Sequence, residues 1–157
     1  MTVSENQLPA IWLDADACPQ PIRDLLFRVA EKRQLRLVLV ANSLVRTPKS
    51  DWIRAVAVKH GADSADMKIV ESMQAGDVVI TNDIPLASLV VDSGGIAIGM
   101  RGELYDESNV KSRLSTRDFM EQMRAAGMET SGPSPHTSKD TQAFANQLDK
   151  ILTKLCK

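Results

Sequence analysis

The sequence has few of the residues that mark secreted, membrane and strongly charged proteins. Only two cysteines occur among 157 residues, too few for a disulfide framework, so we expect a protein of the reducing cytoplasm. The net charge of −1 provides no overall field toward nucleic acid or an anionic membrane, although a local basic patch would suffice for nucleic acid. No apolar run approaches the roughly 20 residues that cross a bilayer, and residues 1–9 read as a polar tail without a signal-peptide pattern. We therefore expect no membrane association.

The composition that is present, 43% hydrophobic and 25% charged residues, is typical of a globular protein, and the length suits one domain, residues 1–157. Apolar patterns of strand and helix period alternate along the chain. They predict strands at residues 10–14, 35–41, 52–58, 77–81 and 96–98, a small extended element at 101–105, a loop at 131–139, and helices at 19–33, 67–73, 85–91, 109–126 and 140–156. This order predicts a three-layer α/β domain with a mostly parallel sheet of about five strands flanked by helices. The last helix is amphipathic and would pack on the domain or at an interface.

Two aspartates one residue apart follow the first predicted strand. In Ile11-Trp-Leu-Asp-Ala-Asp16 the period of a strand places the carboxylates of Asp14 and Asp16 on the same side. Ligands of open α/β sheets sit at the carboxyl ends of strands. Such a pair holds a metal or divides acid and base duties. The alternative is that Asp14 only ends the strand and Asp16 caps the next helix.

Further acids recur at positions that a parallel sheet brings to the same edge. Asp83 follows the strand at 77–81, and Asp63 and Asp66 begin the helix before it. Converging carboxylates without matching histidines form an oxygen-only site suited to Mg²⁺ or Mn²⁺. Two such ions activate water and stabilise the leaving oxygen in phosphodiester hydrolysis. The competing interpretation is a set of helix caps and turn acids.

Several motifs closely resemble those of the bacterial YaiI/YqxD family, which is grouped with the PIN-domain-like nucleases. The resemblance runs in register from Ile11 to the terminal helix. It rests on Asp14-Ala-Asp-Ala-Cys-Pro19, Ala41-Asn-Ser43, Gly61-Ala-Asp-Ser-Ala-Asp66, Gly76-Asp-Val-Val-Ile-Thr-Asn-Asp-Ile-Pro-Leu-Ala87, Arg101-Gly-Glu-Leu-Tyr105 and Gly132-Pro133. It implies a PIN-like, Rossmann-like fold and a metal-dependent nuclease with RNA as the expected substrate. A homodimer is compatible with it, since many PIN-like proteins dimerise.

The resemblance also assigns roles to the acids. PIN-like nucleases place acids after the first strand, at the start of a central helix and after the fourth strand. Asp14 and Asp83 match the first and third positions, and Asp66 matches the second, with Asp63 as its competitor. These residues would hold the metal, and Asp16 would hold a second ion or a water.

Polar and cationic residues near these acids are the expected substrate contacts. Asn42 and Ser43 follow the second predicted strand and would orient substrate or water. Arg46, Lys49 and Arg101 are candidate phosphate contacts, although single surface cations are more often only solvated.

Other residues whose side chains could take part in a reaction are predicted to have structural roles. Asp77 opens its strand and should lie at the opposite edge of the sheet from the other acids. Only four residues separate Cys18 from Arg23, which does not match the five of cysteine phosphatases, so we expect Cys18 to be a packed side chain. Trp12 is expected in the core.

Two other functions remain open at the level of sequence. A haloacid-dehalogenase-like phosphatase would use Asp14 as nucleophile, Asp16 as general acid and Ser43 as the hydroxyl after the second strand. That chemistry needs a late acid pair, which the spacing of Asp77 and Asp83 does not supply. The other alternative is a non-catalytic module that binds metal or RNA.

Overall fold

The computed structural model describes residues 8–16, 18–59, 64–128 and 134–156. Within this part the strands are β1 (Ile11–Asp14), β2 (Leu37–Ala41), β3 (Ile53–Ala57), β4 (Val78–Ile80), β5 (Ile96–Ile98) and β6 (Leu104–Tyr105). The helices are α1 (Gln20–Arg33), α2 (Ser64–Ser72), α3 (Ile84–Asp92), α4 (Glu107–Ala125) and α5 (Ser138–Leu155). Among the described helices, none combines the length and apolar character that a bilayer crossing needs.

The strands form one sheet in the order β3-β2-β1-β4-β5-β6. All neighbours are parallel except β5 and β6, which pair antiparallel. The mostly parallel α/β fold is thus confirmed, and so is the strand expected at 52–58. The sheet has one strand more than the five expected, because the extended element at 101–105 pairs with β5 as β6. Because β1 lies between β2 and β4, the residues that follow these three strands come together at one edge.

Helices cover both faces of the sheet, and each face has its own apolar core. On one face Ile11 and Leu13 pack with α1 and α5, and on the other Trp12 packs with α2, α3 and α4. All residues of β2 and β4 are buried, as expected for parallel strands covered on both sides. These layers hold the carboxyl ends of the central strands in fixed positions.

The terminal helix packs on the domain, with Phe144, Leu148 and Leu152 buried in the core that it shares with α1. It begins at Ser138, earlier than predicted. Thr137 caps it, since its hydroxyl accepts the Asp140 N–H while the Asp140 carboxylate accepts the Thr137 N–H. The loop expected at 131–139 is therefore shorter at its C-terminal end, and residues 129–133 lie outside the described part.

Candidate active site

Asp14 ends the central strand β1 and is the most perturbed acid of the candidate site. Its Oδ2 accepts a hydrogen bond of 2.9 Å from the hydroxyl of Thr81. The pKa of Asp14 is raised from 3.8 to about 6 as the net result of several effects. Burial contributes most of the rise, the Thr81 hydrogen bond opposes it, and the charges of Asp83 and Asp16 add to it. The carboxylate form of Asp14 is thus disfavoured by its surroundings.

Asp16 connects the ends of two strands. Its Oδ1 and Oδ2 accept the backbone N–H of Asn42, the residue after β2, at 3.1 and 3.2 Å. The alternative in which Asp16 caps the following helix is wrong, because the N-cap of α1 is Pro19 and no side chain among the described residues caps this helix. Asp16 instead belongs to the sheet edge beside Asp14.

Asp83 combines a local structural role with a place beside Asp14. It is the N-cap of α3, where its Oδ1 accepts the N–H of Leu86 at 3.2 Å. Its own N–H donates to Thr81 Oγ1 at 2.9 Å. Since the same hydroxyl donates to Asp14, Thr81 links the two acids.

Thr81 is fully buried and was not among the residues singled out from the sequence. The available signal was a hydroxyl residue between a buried strand and an acid, in Val78-Val-Ile-Thr-Asn-Asp83. That pattern does not reveal that the hydroxyl donates to an acid on the neighbouring strand.

Of the two acids expected at the start of the central helix, only Asp66 lies among the described residues. Asp66 is half-buried in the first turn of α2, and this helix packs against β1 and β2. Asp63, its competitor as a metal ligand, lies outside the described residues, as do Gly132 and Pro133 of the family motifs.

The donor set at this edge fits a hard divalent cation in its chemistry. Asp14, Asp16 and Asp83 offer only oxygen, and Asn42 Oδ1 is a buried oxygen with no hydrogen-bond partner within the described part of the chain. Over the same residues, however, no three His, Cys, Asp or Glu side chains already form a ligand group. The hydrogen bonds of Asp16 and Asp83 to backbone N–H groups hold these carboxylates in their present positions.

The expected phosphate contacts fall into two groups. Arg46 and Lys49 line one groove of 510 Å³, together with Arg54, which the sequence analysis did not single out. The groove runs from the loop after Ser43 to the edge strand β3. Arg101 instead pairs with Asp140 at 2.9 Å and donates to Ser134, so its guanidinium connects the β5–β6 turn to the start of α5.

The residues expected to be structural are packed as predicted. Cys18 is buried, and burial raises the pKa of its thiol to about 12. Trp12 is buried, and its Nε1 donates to Asp77 at 3.0 Å, at the edge of the sheet opposite Asp14. Because its raised pKa disfavours the thiolate, Cys18 is not expected to act as a nucleophile at this site.

Comparison with known proteins gives matches over most of the chain. A family model described as "Uncharacterized BCR, YaiI/YqxD family" matches residues 12–154. A UPF0178 protein of Dechloromonas aromatica is 52% identical over 145 residues, which cover 92% of this chain and 97% of the relative. A UPF0178 protein of Shewanella woodyi is 54% identical over 144 residues, covering 92% and 95%. One of Herminiimonas arsenicoxydans is 50% identical over 144 residues, covering 92% and 97%. No solved structure gives a significant match.

Proposed function

This chain belongs to the YaiI/YqxD family, and from the carboxylates around Asp14 we propose that it is a divalent-metal-dependent nuclease that hydrolyses phosphodiester bonds of RNA. The observation that carries the proposal is the position of Asp14. It ends the central strand, is half-buried, and lies within electrostatic reach of Asp16 and Asp83. Crowded carboxylates at the carboxyl edge of a parallel sheet favour a metal-assisted reaction.

Charge balance supports the need for a cation. Among the described residues, no ion pair involves Asp14, Asp16 or Asp83. Neighbouring carboxylates destabilise one another unless a positive charge compensates them. Oxygen ligands of this kind suit Mg²⁺ or Mn²⁺, and Asn42 Oδ1 adds a buried oxygen to which no described residue donates.

The proposed ligand roles are those that the resemblance to PIN-like nucleases implies. Asp14, Asp66 and Asp83 would hold the metal, with Asp63 as the competitor of Asp66, and Asp16 would hold a second ion or a water. When bound, the metal would activate the attacking water and neutralise charge on the leaving oxygen.

The remaining roles belong to groups that position the acids or the substrate. Thr81 orients Asp14 through its hydroxyl, and the N–H of Asn42 orients Asp16. Ser43 is exposed beside them and would contact substrate or water. Arg46 and Lys49 would bind phosphates along their groove.

The phosphatase alternative finds less support. It requires a second acid after β4 at the same edge of the sheet as Asp14. Asp77 lies at the opposite edge, where it accepts hydrogen bonds from Ala10 and Trp12. A phosphatase of that type would form an acyl-phosphate at Asp14, whereas the proposed nuclease would not.

The direct test is cleavage of a labelled single-stranded RNA by the purified full chain with Mn²⁺, with Mg²⁺ and with EDTA. We expect metal-dependent cleavage that falls by about 100-fold or more in Asp14→Asn, because metal assistance contributes several kcal/mol. Asp92→Asn is the matched control, since Asp92 is exposed at the far end of α3. Absence of cleavage with either metal, or an Asp14→Asn variant that cleaves like wild type, would overturn the proposal.

A further inference from the structure

A second cationic groove lies between α3 and α4, on the β4 side of the sheet. Its volume is 780 Å³. It is lined by Ile84, Asn109, Ser112, Arg113, Thr116 and Arg117. None of these residues is marked by a sequence motif, because an exposed face of a charged helix resembles an ordinary solvated surface.

The groove begins next to the candidate active site. Ile84 directly follows Asp83, whose carboxylate caps α3, and α4 packs along α3. A polymer held against α4 would therefore pass the end of α3 that carries Asp83. The groove formed by Arg46, Lys49 and Arg54 lies beyond β2, on the other side of β1.

The chemistry of the lining matches a sugar–phosphate backbone. Both charged residues among the described lining residues are arginines, and the Ser112 hydroxyl supplies a further hydrogen-bonding group. The Asn109 amide and the Thr116 hydroxyl already donate to the backbone oxygens of Leu104 and Ser112. Arg113 and Arg117 are one helical turn apart, roughly 6 Å along the axis, so each can contact a different phosphate. No aromatic ring belongs to the described lining, so stacking on bases would not contribute here. Such a surface binds phosphates without reading sequence.

Arg113 is already oriented by its neighbours. Its guanidinium pairs with Glu103 at 2.5 Å and lies 5.7 Å from the centre of the Tyr105 ring. This arrangement reduces the conformational entropy that the side chain loses when it binds an anion.

Arg117 pairs with Glu121 at 3.2 Å, and both side chains remain about half exposed. Exposed pairs of this kind contribute little to stability, so a phosphate can replace the carboxylate. Within α4 only Val110 is buried, so packing of the core does not account for the length of this helix.

We propose that the α3–α4 groove binds the backbone of single-stranded RNA beside the scissile phosphodiester. The identification of the polymer as RNA rests on the proposed nuclease function. The groove itself requires only a phosphodiester backbone, so single-stranded DNA of the same length should compete for it.

The test is the affinity of the full chain for a short fluorescein-labelled oligouridylate, measured by fluorescence anisotropy in EDTA. We expect the double variant Arg113→Gln, Arg117→Gln to raise the Kd about tenfold. Loss of two phosphate contacts should also reduce the slope of log Kd against log salt by about 1.4, or about 0.7 for each contact. The control is Lys111→Gln, Lys150→Gln, which removes two exposed cations outside the groove and should change Kd less than about twofold.

Arg117→Glu provides a second variant that keeps the Arg113–Glu103 pair, and it should weaken binding as well. Circular dichroism checks that each variant is folded. The inference is overturned if the groove variants bind like wild type or if the control pair loses as much affinity. Because these measurements contain no metal, a failure of the nuclease proposal would appear separately, as an absence of cleavage with Mn²⁺ while the groove variants still lose affinity.

Discussion

The two edges of the sheet surround a carboxylate with different partners. At the amino edge Asp77 is 6% exposed and accepts hydrogen bonds from Ala10 N, Trp12 Nε1 and Gln74 N at 2.9 to 3.0 Å. At the carboxyl edge Asp14 accepts a bond from Thr81, and its pKa rises to about 6 because of burial and of two neighbouring acids.

The difference separates an acid that serves the fold from the acid that we propose as a metal ligand. The three donors around Asp77 satisfy its carboxylate oxygens and join the start of β1 to the turn before β4. The surroundings of Asp14 instead oppose its charge, and perturbed groups of this kind cluster at functional sites. The hydrogen-bond and charge partners therefore distinguish the structural Asp77 from the proposed metal ligand Asp14, which burial alone would not do.

The largest effect on stability is expected at the amino edge. Asp77→Ala would leave three donors without an acceptor in a buried place, and we expect a loss of about 3–5 kcal/mol of unfolding free energy. Urea denaturation measures this loss, and Asp92→Ala, at an exposed site, should change little. A loss below about 1 kcal/mol would show that Asp77 is not a structural anchor.

A bound metal should raise the free energy of unfolding only through the carboxylates at the carboxyl edge. At a free Mn²⁺ concentration of about 100 times its Kd, wild type should gain about 2.7 kcal/mol by mass action. Asp14→Asn should gain much less, because it lacks a ligand charge. Thermal unfolding with and without Mn²⁺ compares the two proteins, and equal gains would place the cation elsewhere.

The pH dependence tests the same edge without metal. The folded protein raises the pKa of Asp14 from 3.8 to about 6, so the stability that this residue contributes is complete below pH 3.8 and is lost as the pH rises through 6. Near pH 8 in EDTA, Asp14→Asn should therefore exceed wild type by about 1–2 kcal/mol, allowing for partial solvent screening. The difference should vanish in acid. A variant less stable than wild type near pH 8 would contradict the repulsion.

The smallest effect separates the two roles of Asp83. Asparagine can still cap α3, whereas alanine cannot, so Asp83→Ala should be less stable than Asp83→Asn by about 1 kcal/mol. Both variants remove a charge near Asp14 and should lower its pKa by a similar amount, which NMR titration of the Asp14 carboxyl can follow. Equal stabilities would argue against the cap.

The acids of the candidate site could be predicted from the sequence, whereas the hydrogen bonds that hold them could not. Asp14 and Asp83 stand at strand ends, and strand ends can be identified from apolar runs and their period. The hydrogen bonds of the edge join residues far apart in the chain, such as Asp14 to Thr81 across 67 positions and Asp16 to Asn42 across 26. Local patterns carry no information about which distant hydroxyl or N–H will meet a carboxylate.

The α/β class, the parallel strands, the terminal amphipathic helix and the structural role of Asp77 could be predicted from the amino-acid sequence alone, because they follow from local periodicity and from position within a strand. Three features became visible only in the folded chain: β6 joins the sheet, Asp16 binds the end of β2 rather than capping α1, and Arg113 and Arg117 line a groove that begins next to Asp83. These features depend on contacts between elements, and such contacts exist only once the sheet order β3-β2-β1-β4-β5-β6 has brought the elements together.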